Sequence, residues 1–186
     1  NVTFYFQSEE SGYSHLYTRN IKTGKTEQLT DGKFEIHDAT LSKDGSNFYI
    51  SANKNHPGNR EFYHLDIKSK TWISILTKDG NYEVTMSPDE KNLAIKYSYK
   101  NKPWELYVAS NKANAKMVQV TNSQSEEFKN YNWKTPEVIT FKTEDGKDVY
   151  ARIYRPKADV KNGAAVQFVH GAGYLQNAHN WWSGYH

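Results

Sequence analysis

Residues 165–174 read Ala-Val-Gln-Phe-Val-His-Gly-Ala-Gly-Tyr, an apolar run that ends in a loop of small residues led by a histidine. Acyl transfer passes through a tetrahedral oxyanion, and preorganised N–H donors aimed at that oxygen contribute about 3–4 kcal/mol each. Gly171, Ala172 and Gly173 are the residue types that let a backbone approach a substrate closely, because glycine has no Cβ in the way. His170 and Tyr174 flank them with side chains able to shape the site or donate a hydrogen bond. The same residues also fit a plain glycine turn behind a buried strand, with His170 packed in a core. No Gly-x-Ser-x-Gly element, which presents a nucleophilic serine on a strand-to-helix elbow, occurs in the 186 residues. The chain therefore reads as the approach to an acyl-transfer site without the groups that attack.

Other chemistries find less support. The absence of cysteine excludes disulfides, thiolate metal sites and a cysteine nucleophile within these residues. His170, His179 and His186 have spacings that fit no common ligand pair on a helix or strand, so no metal and no cofactor is expected. Asp38, Asp44 and Asp89 recur at repeat positions and read as turn residues. Glu9-Glu10 and Glu126-Glu127 read as solvated surface. The formal charge of +3 is made of interspersed residues of both signs. A nucleic-acid binder would show a basic block or stripe, and no nucleic-acid partner is expected. No apolar run approaches the roughly 18 residues that a membrane-spanning helix needs, and no signal peptide is visible.

The elements that must position the loop are written in a repeat of about 45 residues. Leu16-Tyr17, Phe62-Tyr63 and Leu106-Tyr107 are spaced by 46 and 44 residues. Leu29-Thr30, Leu76-Thr77 and Val120-Thr121 follow, spaced by 47 and 44. A third landmark pairs Thr40–Gly45 with Thr85–Glu90. The segments alternate with period two, the strand signature, and Asp31-Gly32, Asp44-Gly45 and Asp79-Gly80 punctuate them as turns. Aromatics at 15% of the chain suit half-buried strands and exclude a disordered chain.

A period of this length with about four short strands per unit predicts β-propeller blades, and an ungrouped β-sandwich is the rival. The pattern breaks at Trp133-Lys134-Thr135-Pro136, which places a domain boundary near residue 134. Val138–Thr143 and Val149–Tyr154 then form a hairpin about Asp145-Gly146, and Ala164–Val169 reads as a buried strand of an α/β sheet. The expected fold is thus mainly β: a partial β-propeller of about two to three blades over 1–134, then the first strands of an α/β-hydrolase domain over 135–186. Asn1 is not a methionine and already leads into a strand, so both ends read as cut from a longer protein.

The order of these features resembles the prolyl oligopeptidase family of serine peptidases, in its dipeptidyl peptidase IV branch. The resemblance covers essentially the whole chain. It is carried by the blade repeats, Lys102-Pro103-Trp104-Glu105-Leu106-Tyr107, Trp133-Lys134-Thr135-Pro136-Glu137, His170–Gln176 and Trp181-Trp182. It implies a serine exopeptidase that hydrolyses peptide bonds near the N-terminus of short peptides. Its Ser, Asp and His would all lie downstream of His186, with His170, Gly171, Ala172, Gly173 and Tyr174 on the oxyanion and substrate side. In that branch a Tyr hydroxyl assists the oxyanion from the start of this loop, and here His170 stands in that place. The resemblance further implies a peptide substrate, a homodimer, and a periplasmic or secreted location. It predicts that Trp181-Trp182 pack on the remainder of the catalytic domain and that these 186 residues alone are inactive. The alternative is a non-enzymatic propeller that binds or scaffolds a partner.

Overall fold

The computed structural model describes residues 2–157, 162–171, 173 and 175–183. Strands β1 (Thr3–Ser8), β2 (His15–Asn20) and β3 (Thr26–Gln28) form a first antiparallel sheet. Strands β4 (Ile36–Leu41), β5 (Asn47–Ala52), β6 (Glu61–Asp66) and β7 (Trp72–Leu76) form a second. Strands β8 (Asn81–Met86), β9 (Asn92–Tyr99), β10 (Lys102–Ser110) and β11 (Val118–Gln119) form a third. A short helix α1 (Glu126–Asn130) precedes the two-stranded hairpin of β12 (Glu137–Lys142) and β13 (Asp148–Ile153).

The repeat in the sequence is a repeat of hydrogen bonds. The N–H groups of Leu29 and Thr30 both reach the Leu16 carbonyl, at 2.8 and 3.4 Å, and those of Val120 and Thr121 both reach the Leu106 carbonyl, at 2.8 and 3.3 Å. One extra residue against a single partner is a β-bulge. The second sheet shifts register at the equivalent Phe62/Tyr63 step. In the outer two repeats the threonine hydroxyl also accepts the leucine N–H, Thr30 from Leu16 at 3.0 Å and Thr121 from Leu106 at 2.8 Å. The turns repeat as closely. Ser42 Oγ donates to Asp44 Oδ1 at 2.6 Å and Ser87 Oγ to Asp89 Oδ1 at 2.6 Å, while each serine Oγ accepts the N–H five residues on. Thr143 and Asp145 make the same contact in the turn between β12 and β13. Asp44 and Asp89 are turn formers, as their positions in the repeat predict, whereas Asp38 lies within β4 opposite Ser51 and corrects that reading.

The second sheet is buried on both faces. Phe48, Ile50, Ala52, Tyr63 and Leu65 pack with Leu16, Leu29, Phe34 and Ile36 on one side. Tyr49, Phe62, Ile75 and Leu76 pack with Tyr82, Leu93, Ile95 and Ala109 on the other. Alternate side chains of β5 and β6 thus face two different cores, one on each side of the sheet.

The expected fold class needs correction. The described residues are mainly β, but they form four small separate antiparallel sheets, none of them closed, and not a partial β-propeller running into an α/β-hydrolase domain. Period-two alternation and Asp-Gly turns specify hairpins, whose pairing is complete between neighbours in sequence. They do not specify a ring. The run 164–169 is also not a strand: it joins no sheet among the described residues, and Val166 is 100% exposed. A strand of an α/β sheet needs neighbours that bury both its faces. No such sheet exists among the described residues.

Candidate functional site

Two of the candidate oxyanion residues, Ala172 and Tyr174, lie outside the described residues, as does His186. The other three lie in an open loop. His170 Nδ1 stands 2.7 Å from the Gly171 carbonyl, which can only accept, so Nδ1 carries the proton. Gly173 has φ +84°, in the left-handed region that favours glycine. Among the described residues, an added Cβ at Gly171 would meet no atom closer than Leu175 Cδ1, at 3.6 Å. Phe168, Val169 and Leu175 are exposed. The described residues of the loop are exposed, and His170 is on the surface and not in a core.

Immediately after the loop the chain becomes buried. Residues 176–183 run as a strap across the second and third sheets. Asn180 N donates to the Gly58 carbonyl at 2.9 Å, and its own carbonyl accepts from Lys100 N at 2.7 Å. Trp182 N donates to Ser98 Oγ at 2.8 Å. Arg152 on β13 donates to the carbonyls of Trp181 at 2.9 Å and Lys100 at 3.2 Å, so it joins the hairpin, the strap and the third sheet. Burial lowers the Arg152 pKa, and Tyr154 opposes that shift. Gly58 is required here, because a Cβ would stand 2.8 Å from the Ala178 carbonyl oxygen.

Trp181-Trp182 pack on residues of this chain. Trp182 packs against Phe128 and Trp133, with centroids 5.4 and 5.0 Å away. Trp181 stacks on His179 at 4.0 Å and lies under the Arg60 guanidinium at 5.2 Å. Aromatic residues near a break in a repeat have local surfaces to cover, and the third sheet and α1 supply them.

Beneath the strap lies a buried polar hub that the sequence did not reveal. Asn59 is 1% exposed. Its Nδ2 donates to Asp79 Oδ1 at 3.0 Å and to Glu61 Oε1 at 3.4 Å, and its Oδ1 accepts from Asn180 Nδ2 at 2.9 Å and Gly80 N at 3.3 Å. Both donors and both lone pairs are used, the full capacity of an amide. Glu61 is fully buried and also accepts from Tyr63 Oη at 2.5 Å and Asn55 N at 3.1 Å. Burial and then Glu61 push the Tyr63 hydroxyl pKa far up, which keeps it a donor.

Beside the hub a cleft of about 620 Å³ opens, lined among others by Glu9, Ser14, Glu35, Arg60 and Gln176. Glu35 Oε2 accepts from Ser14 N at 2.6 Å, and Glu35 N donates to Asn53 Oδ1 at 2.6 Å. Arg60 Nη1 donates to the carbonyls of Asn59 at 2.8 Å and Pro57 at 3.4 Å. Gln176 Nε2 reaches the Pro57 carbonyl at 3.2 Å, so the strap closes one end of the cleft. Neither charged residue carries a motif that a sequence pattern finds. Among the described residues no group of three or more His, Asp or Glu is placed to hold a metal ion. No helix there is long and apolar enough to cross a membrane.

The described residues are mainly β, and the cleft opens among the ends of short antiparallel strands. Residues 1–104, more than half of the chain, match the family described as dipeptidyl peptidase IV (DPP IV) N-terminal region, and the chain belongs to that family. The match supports a link at family level to the DPP IV-like serine peptidases. It includes Asn59, Glu61 and Asp79 of the hub and Glu35 and Arg60 of the cleft, and it ends before Gln176, Asn180 and the loop at His170.

Proposed function

We propose that the chain is part of a serine exopeptidase that removes residues from the N-terminal end of short peptides, with residues 1–134 as an N-terminal unit and 135–186 leading into the catalytic unit. The observation that carries this reading is the family match over residues 1–104. A serine outside these 186 residues attacks the peptide carbonyl carbon and gives its proton to a histidine oriented by an aspartate. The tetrahedral intermediate collapses, and the departing amine takes that proton. The backbone of His170–Gly173, with Tyr174, holds the oxyanion. The N–H groups of Gly171 and Gly173, which donate to no described group, are available for that role. Docking of the loop against the remainder of the catalytic unit encloses it.

A fluorophosphonate probe tests the reading. The 186-residue chain should stay unlabelled, and the natural gene product extended past His186 should label at one serine and lose the label when that serine becomes alanine. Labelling of the 186-residue chain, or none of the extended product, refutes the proposal. Periplasmic or secreted location and a homodimer belong to the same reading, and cell fractionation and sedimentation of the extended product test them.

A further inference from the structure

The exposed run 162–169 opens on the one Asn-Gly pair in the 186 residues, Asn162-Gly163. The amide carbon of an asparagine side chain lies within reach of the next residue's nitrogen, and joining the two closes a five-membered imide. A fold prevents this when it ties the following N–H into a hydrogen bond or crowds the approach with the following side chain. Neither protection operates here. Among the described residues Gly163 N donates to nothing, and a Cβ built at Gly163 would meet no atom within 4 Å. Its φ is +81°, in the left-handed region that glycine enters freely. Asn162 Oδ1 accepts from Ala164 N at 3.0 Å. That turn folds the side chain back over the 162–163 peptide. Its N–H also polarises the amide carbonyl toward addition, as a donor to a developing oxyanion does.

Other asparagines show the contrast. Asn20 makes the same kind of turn, its Oδ1 accepting from Lys22 N and Thr23 N at 3.0 Å. There, however, Ile21 N donates to the Val2 carbonyl at 2.8 Å, and the isoleucine is branched at Cβ. After Asn114, Ala115 N donates to the Ile75 carbonyl at 3.0 Å. After Asn122, Ser123 N donates to Glu105 Oε1 at 2.8 Å. In all three the attacking nitrogen must first leave its partner.

We infer that Asn162-Gly163 is a self-modification site, where the chain converts its own asparagine through a cyclic imide to aspartate and isoaspartate. Hydroxide removes the Gly163 amide proton, and the nitrogen attacks Asn162 Cγ. The N–Cγ bond forms, the Cγ–Nδ2 bond breaks, and Nδ2 leaves as ammonia with a proton from water, which regenerates hydroxide. One water then opens the imide. Cleavage of its bond to Cγ gives aspartate, and cleavage of its bond to the Asn162 main-chain carbonyl carbon gives isoaspartate. Asparagine and one water become the acid and ammonia, with nothing oxidised or reduced. Either product places a new carboxylate eight residues before His170, and isoaspartate also lengthens the main chain by one carbon. The inference does not depend on the peptidase reading, because every group it uses lies within the described residues.

The test incubates the folded 186-residue chain in mildly alkaline buffer and maps it by peptide mass spectrometry. A gain of one mass unit should appear at Asn162 at least about tenfold faster than at Asn20, Asn114 or Asn122, because local opening must precede reaction at those three. An isoaspartyl carboxyl methyltransferase should methylate the aged chain at residue 162, and hydroxylamine should cut it between 162 and 163. Gly163→Ala puts a Cβ at a left-handed position in open space, and it should slow the reaction about tenfold. In urea the advantage of Asn162 over Asn114 and Asn122 should shrink, since those two lose their protection. Equal rates at Asn162 and Asn114 in the folded chain, no isoaspartate at residue 162, or the same advantage in urea as in buffer overturns the inference. The comparison among asparagines uses the unsubstituted chain, so it stands whatever the variant does.

Discussion

Asn59→Asp changes one NH₂ group to an oxygen, and the structure makes that exchange severe. Nδ2 donates to two carboxylates, Asp79 and Glu61, at 3.0 and 3.4 Å in a site that is 1% exposed. Losing two hydrogen bonds to charged groups, at about 1.5–3 kcal/mol each, suggests a loss of about 3–6 kcal/mol. A third carboxylate would also face the first two, and near-surface unit charges 4 Å apart repel by about 4 kcal/mol. The new acid escapes that repulsion by keeping its proton, so about 3–5 kcal/mol is the expected net cost, against a total stability of about 5–15 kcal/mol for a domain. Urea unfolding followed by tryptophan fluorescence measures it. The pH dependence supplies an independent signature. The acid at position 59 has a folded pKa raised above its unfolded value, so its protonated form favours the folded state and the deficit relative to the parent shrinks as pH falls from neutral. A cost below 1 kcal/mol at neutral pH, or a deficit that grows on acidification, would refute the account of the hub.

Gly58→Ala should push the strap off the sheets, because the new Cβ meets a backbone oxygen and not a flexible side-chain tip. The expected signs are a cost of about 1–3 kcal/mol and a red-shifted tryptophan emission in the still-folded protein. Glu105, 5% exposed, is pushed up by burial, but bonds from the Thr121 hydroxyl and from Ser123 N and Oγ outweigh this and hold its pKa below the usual carboxylate range. Its contribution is therefore complete above the unfolded value of about 4.3 and is lost as pH falls through the lower folded value, so Glu105→Gln should flatten the acid limb of the stability curve. Glu90 occupies, at φ +59°, the left-handed position that Gly45 fills at +72° in the equivalent turn. Glu90→Gly should raise stability by about 0.5–1 kcal/mol in thermal unfolding, and a lowered melting temperature would show that the Glu90 bond to Lys43 N outweighs the backbone strain.

What the sequence revealed and what it concealed divide by distance along the chain. The Leu-Tyr and Leu-Thr landmarks became the bulges, and the Ser-x-Asp segments became the turns, because strand alternation and turn chemistry act over a few residues. The hub, the strap and the cleft rest on pairs such as Asn180 with Asn59 and Gln176 with Pro57, separated by 121 and 119 residues, and no local pattern encodes those. The run 164–169 shows the converse error. Its composition suits a buried strand, but composition cannot supply the neighbouring strands that would bury it. At the candidate site the small-residue loop was legible and its setting was not.

The strap also has a place in time. At about 5–20 residues per second, synthesis of the 121 residues between Asn59 and Asn180 takes roughly 6–24 s. Through that interval the nascent sheets carry Asn59 and the Gly58 carbonyl, and later Ser98 Oγ, facing water, because Asn180, which bonds the first two, and Trp182, which bonds the third, are not yet made. Hairpins form in microseconds, so the first three sheets can be complete long before the strap arrives. The chain is thus latched from its C-terminal side, and in refolding the burial of Trp181 and Trp182 is the natural candidate for the last fluorescence change.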